Sequence, residues 1–282
     1  MRSGVCFFLG LLVGPLDSRA QQPPATAAPK RPCAEIEAFM LKAKMGPRKN
    51  VPRGVTAPQR ATLDDGNMQH EVFIQTIDES KSSFQSARGT ELNFRDTWKH
   101  NVSAYELAKI LELNMIPPYV ERNVGGKTGS LSWGLDNVLM DELDRTKKKA
   151  DPPNLETWNP QMYVVRVFDQ LIHNVDRNLT NLMITQDWQM WMIDHSRAFR
   201  LIKNIPEPKN LVKCDRKLLA KLRTLNNDEL VKKLSRWMTK SEIEALHARA
   251  GKIVEFFDKE VAQKGEAAVL FDLDRSGVPC AL

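Results

Sequence analysis

The stretch HNVDRNLTN sets Asp176 and Asn181 five residues apart, and WMIDHS ends an aromatic-rich apolar run on a second carboxylate, Asp194. An amide oxygen and a carboxylate are hard donors, the kind magnesium accepts when phosphate oxygens and water complete its shell. A further carboxylate nearby could receive the proton of an attacking hydroxyl. Phosphoryl transfer is mostly positioning and charge neutralisation, so one base and two metal ligands form a sufficient kernel. Asp and Asn are also ordinary turn formers beside strands. The chemistry therefore depends on what brings the three together.

Leu182–Thr185 and Gln189–Ile193 are short apolar runs on either side of QDW, which predicts an antiparallel hairpin. Paired strands lie ~4.8 Å apart, so such a hairpin would bring Asn181 and Asp194 to one open end. Asp176 falls in the loop before it, at the end of a helix read over Pro160–Asn174. In that helix Met162, Val165, Phe168 and Ile172 form a buried stripe, and Pro160 suits the first turn. His173 and His195 flank the three residues and, without a metal-ligand partner, read first as structural; His195 is also a candidate to orient Asp194. Trp188, Trp191 and Phe199 read as packing residues, and Arg197 as a phosphate contact or an ordinary ion-pair partner.

Upstream, the segment Ala34–Met45 has helical spacing, whereas RGVTAPQRATL and EVFIQTI around the turn DDGN predict a hairpin. His100–Leu113 returns to a helix with Val102, Tyr105, Ala108 and Leu111 on one face. Pro117, Pro118, Gly125 and Gly126 then break the chain into two short strands. RTKKKADPPN reads as a boundary, and DRKLLAKLRTL, NDELVKKLSRWM and a long segment after TKSEIE read as amphipathic helices, with Thr239 or Ser241 as cap. A β-rich first half and a helical second half predict a two-lobed α+β architecture.

At 282 residues and 42% apolar content the chain can bury a substantial core. Its start has the layout of a secretory signal: Arg2, an apolar run from Val5 to Leu16, then Ser18 and Ala20 before a cut. An exported protein, periplasmic or secreted, is expected, with no membrane-spanning helix once the signal is removed. Gln21–Pro32 is Pro/Ala-rich and reads as a linker. The net charge of +6 is spread along the chain, and its two basic clusters lack the interleaved aromatics of a nucleic-acid surface. Cys33, Cys214 and Cys280 are too widely spaced for a metal knuckle; export would permit one bridge. No nucleophile elbow, zinc-helix, P-loop or dinucleotide fingerprint is present.

Asp, five residues to Asn, then a hairpin closing on Asp resembles the catalytic and metal-binding core of kinase-like folds. NVDRNLTNLMI and WMIDHSRAF are closest in character to the atypical branch: HipA-like kinases, the phosphatidylinositol 3-/4-kinase-like group and secretory-pathway kinases. Exported bacterial proteins of that type are also similar in ELNFRDTWKHNVSAYELAKILELNMIPPYVERNVGGKTGSLSW, and the likeness covers about Val51–Phe199.

The resemblance implies a two-lobed protein-kinase-like fold, with residues 34–144 as the small lobe and 145–282 as the large one. It implies Asp176 as catalytic base and Asn181 and Asp194 as ligands to magnesium or manganese. An ATP-like nucleotide would lie beneath the hairpin that carries Gly54, and the acceptor is unspecified. Such a small lobe normally holds the nucleotide phosphates with a strand Lys paired to a helix Glu. Here Gln75 and Asn101 fall at those positions, neutral groups that can hydrogen-bond across the same gap. Lys81 and Arg88 in the following loop are alternative phosphate contacts. The sequence thus supports an exported phosphotransferase or, from the neutral pair, a kinase-fold protein that binds nucleotide or a partner without turnover. A third reading, a structural or partner-binding exported protein whose three polar residues are turn chemistry, also stands.

Overall fold

The structure, a computed structural model, describes residues 31–51, 58–86, 89–174, 177–275 and 280–281. The signal-like segment and most of the Pro/Ala-rich stretch lie outside the described residues. Helix α1 (Cys33–Lys42) buries Ile36, Phe39 and Met40. They pack on Leu63, Val72 and Leu131 from one face of an antiparallel sheet. The helix stops short of Met45 because Arg122 donates to the carbonyls of Met40 and Ala43, 2.8 Å in each case, and so caps its last turn. Lys44–Met45 then pairs as β1, and Lys49–Asn50 follows as β2.

Strands β3 (Gln59–Asp64) and β4 (Gln69–Gln75) form the expected hairpin. Asp65 accepts the amides of Asn67 and Met68, and Gly66 supplies φ +88° at the turn. Between β4 and the next helix lies a long second hairpin, β5 (Asp78–Ser86) and β6 (Gly89–Thr97), which the sequence does not signal. Its residues are mostly polar and exposed, so period-2 alternation is absent. Helix α2 (Trp98–Ile110) is capped by Thr97, whose hydroxyl accepts the Lys99 amide. Strands β7 (Tyr119–Val124) and β8 (Lys127–Trp133) complete a sheet of order β1-β3-β4-β8-β7, with β2 also paired to β3.

In the larger lobe β9 (Val138–Asp141) leads into α3 (Glu142–Lys148), so helix covers the first part of the charged stretch RTKKKADPPN. Helix α4 (Leu155–Ile172) starts earlier than its Pro implies, because Asn154 caps it by accepting the Glu156 amide at 2.7 Å. Strands β10 (Leu182–Thr185) and β11 (Met190–Met192) form a hairpin that β9 extends to three strands. Helices α5 (Arg216–Thr224), α6 (Asn227–Leu234) and α7 (Lys240–Lys264) follow, α7 opening on a reciprocal capping box between Thr239 and Glu242. Among the described residues no helix is long and apolar enough to cross a membrane.

Two apolar cores result, and α2 belongs to the larger one although its place in the chain is in the small lobe. Trp98, Val102, Tyr105 and Leu107 join Phe168, Leu171, Leu246 and Phe257 there. Burying one such side chain contributes ~1.5–3 kcal/mol, against ~1 kcal/mol for a neutral hydrogen bond. Apolar packing therefore sets where α2 lies, and its polar bonds set what it touches.

The ends of the described chain also meet, since Arg31–Pro32 pairs in parallel with Cys280–Ala281. Cys33 is disulfide-bonded, whereas Cys214 is a free, fully buried thiol pushed up by burial and by the Asp215 charge. Within the large core Arg249 is wholly buried and donates to the carbonyls of Leu171, Arg200 and Ile202. Burial pushes its guanidinium down to about 10, still charged at neutral pH. Arg249→Met would leave those carbonyls without their donor. It is expected to destabilise the protein by about 3 kcal/mol, measured by urea unfolding.

Candidate functional site

The β10–β11 hairpin brings Asn181 and Asp194 together by register. Leu182 faces Met192, and one step outward the Ile193 amide donates to the Asn181 carbonyl at 3.1 Å. The residue that fixes this end is Arg177, which sequence reasoning missed. Its Nη1 donates to the carbonyls of Asn181 (3.0 Å) and Ile193 (2.9 Å), while Nε and Nη2 bind the Asp169 carboxylate of α4 at 3.0 Å. One guanidinium thus ties α4 to both edges of the hairpin mouth. Its place next to Asp176 in VDRN was the available signal. Asp176 itself, with Gly54 and Arg88, lies outside the described residues.

Asp194 adopts φ +52°, the left-handed region that Asp tolerates better than bulkier residues. Two buried groups hold its surroundings. The Asn101 side-chain oxygen accepts the His195 amide at 2.6 Å, and the Tyr119 hydroxyl takes a bond from the Asp194 amide. Burial first, and then the Asp194 charge, push the Tyr119 phenol above its ordinary value, so it stays neutral. Tyr119 carried no signal in the sequence, because a strand Tyr reads simply as packing.

Asn101 also reaches the small-lobe sheet, where its Nδ2 donates to Gln75 Oε1. One amide therefore joins strand β4, helix α2 and the backbone after Asp194. The neighbouring His100 is fully buried, with Nδ1 facing the Ser196 carbonyl at 3.1 Å and Nε2 facing Glu242 Oε1 at 3.2 Å.

The structural reading of His195 holds, and its alternative role of orienting Asp194 is corrected. Its ring is wholly buried edge-on to Phe168, neither nitrogen has a hydrogen-bond partner among the described residues, and burial pushes it well below its ordinary value. It packs and does not orient the Asp194 carboxylate. Burial, with Arg249 and Arg200 nearby, likewise pushes His173 down to about 4.

Lys81 lies on β5, paired with Glu79 at 2.8 Å and over the rings of Phe84 and Phe94. Arg197 gives Nη2 to Glu91 at 2.7 Å and covers Phe94. Trp188 meets Trp158 edge-on, and Trp191 and Phe199 are buried packing residues.

Among the described residues no group of three or more His, Cys, Asp or Glu is placed to hold a metal. Asn181 and Asp194 offer oxygen donors alone. That chemistry fits magnesium or manganese completed by phosphate and water, rather than zinc.

No family model matches the sequence, and no curated protein does. Solved structures do match in shape. A hydra Fam20 structure determined with sugar superposes with a TM-score of 0.66 at 15% identity, covering 85% of this chain and 92% of that one. The Golgi casein kinase superposes at 0.60 and 12% identity, over 87% of this chain and 80% of its own. The same kinase has also been solved with Mn and ADP bound. At these identities the likeness establishes the fold. The chain has a two-lobed protein-kinase-like fold, α+β, resembling the atypical and secretory-pathway kinases.

Glu242 yields a pH test. Burial raises its carboxyl, but the His100 bond, the Thr239 amide and Arg95 outweigh this and hold it at about 2, against 4.5 unperturbed. Its folded value is depressed, so its stabilisation is complete above pH 4.5 and is lost as pH falls toward about 2. Glu242→Gln should flatten the unfolding free energy across that window, followed by urea titration at successive pH values.

Proposed function

We propose that this protein is an exported kinase-like phosphotransferase that binds a nucleotide with magnesium or manganese. The observation that carries the reading is the fixed hairpin mouth, where register and Arg177 hold Asn181 and Asp194 at one end in a kinase-like fold. The Asn181 amide oxygen and the Asp194 carboxylate would hold the metal, which offsets the phosphate charge when bound. Asp176 would accept the proton of the acceptor hydroxyl. Gly54 would lie over the nucleotide, with Gln75 and Asn101 beside its phosphates. Arg88 and Arg197 would be the cations nearest those phosphates, whereas Lys81, on β5 and paired with Glu79, is not assigned to them. The Mn and ADP bound to the Golgi casein kinase support this pairing of metal and nucleotide. The signal-like start and the disulfide at Cys33 support export.

The Gln75–Asn101 bond favours a second reading, a kinase-fold protein that binds nucleotide or a partner without turnover. A neutral amide, Gln75, stands at the strand position where such a fold usually carries Lys. Calorimetric titration of the signal-free protein with ATP, with and without Mg²⁺ or Mn²⁺, tests both. Metal-dependent binding should weaken at least ~10-fold in Asp194→Ala, as loss of a charged contact implies. Transfer to water or an acceptor, if present, should fall by ~10²–10⁴ in Asp176→Ala with nucleotide binding kept. Binding without any transfer selects the second reading, and no binding under any metal condition removes the first and leaves the partner-binding form of the second.

A further inference from the structure

We propose a separate oxyanion site in the cleft enclosed by the β5–β6 hairpin, the segment after Asp194 and the start of α7. Its ligand class is phosphate, free or carried on a side chain. The cleft has a volume of about 330 Å³, far beyond the ~10–15 Å³ that one water needs. Lys81, Arg95 and Arg200 line it, with the hydroxyls of Ser80, Thr239 and Ser241. Asn181 and Asp194 are not among its lining residues, so it is distinct from the proposed metal position.

The carboxylate in this wall, Glu242, is fully used. Oε1 accepts from Arg95 and His100, and Oε2 accepts the amide and hydroxyl of Thr239. It leaves no acceptor for the other cations. The side chain of Arg200 is 10% exposed and gives Nη2 to Glu91, but its buried Nη1 has no acceptor among the described residues. Nη1 is closed off from solvent, so what Arg200 lends the cleft it lines is positive charge, which an oxyanion there would offset. Lys81 is about half exposed (48%) and holds Glu79 on the surface, so it is free to turn toward an anion. The N-terminus of the 25-residue helix α7 adds positive potential to the same wall. A bound oxyanion would take donors from the small-lobe hairpin and from the large lobe together.

The test is calorimetric titration of the full chain with inorganic phosphate, without nucleotide or metal. Wild type and Asp194→Ala should bind alike. Lys81→Glu, a half-exposed position that leaves both cores intact, should weaken binding about tenfold or more, as should Ser241→Glu. A phosphoserine peptide titrated in parallel identifies the source. Tighter binding than inorganic phosphate points to a phosphorylated side chain, and equal affinity to the free anion. No phosphate binding by wild type, or equal binding by both charge variants, overturns the proposal. Because ATP and metal are absent, failure of the nucleotide reading leaves this result unaffected.

Discussion

Helix α2 has almost no free face, and much of the molecule follows from that. Its run from His100 to Tyr105 is buried on successive residues, so polar side chains within it must find partners inside the protein. His100 turns to Ser196 and Glu242, Asn101 to Gln75 and the His195 amide, and Ser103 to the Lys99 carbonyl. Each of the first two joins elements from different parts of the chain. A helix amphipathic in the usual sense would have turned these groups to solvent and left the backbone after Asp194 without support from this side.

The neutrality of Gln75 and Asn101 fits that burial. Two opposite charges in the same place would each lose several kcal/mol of hydration, and removing one would leave the other stranded. Two amides lose less. Asn101 also has a carbonyl oxygen to spare for His195, which a Lys-paired carboxylate would share with a cation. The same choice leaves the pair without a fixed charge.

Several elements were legible because each left a local mark. The turn Asp64–Asn67 between alternating runs gave β3 and β4, and Gly125 and Gly126, both at positive φ, gave β7 and β8. Thr239 with Glu242 marked the start of α7. The apolar runs around QDW placed Asn181 and Asp194 at one end. Hairpin β5–β6 was not legible, since its stacked Phe84 and Phe94 are isolated apolar residues in a polar segment. Arg177, Tyr119 and Arg249 were hidden for another reason: their partners are backbone atoms or residues remote in sequence, and no spacing rule reports a carbonyl across the fold. His195 was legible as a structural histidine because no metal-ligand partner stands beside it in the sequence, and burial against Phe168 makes it a packing ring.

The Arg249 guanidinium has a consequence for the conditions this fold tolerates. It grips carbonyl oxygens, which do not titrate, and it stays protonated at every pH below its own high value. The footing under Arg200–Ile202 is therefore the same in neutral and in strongly acidic surroundings.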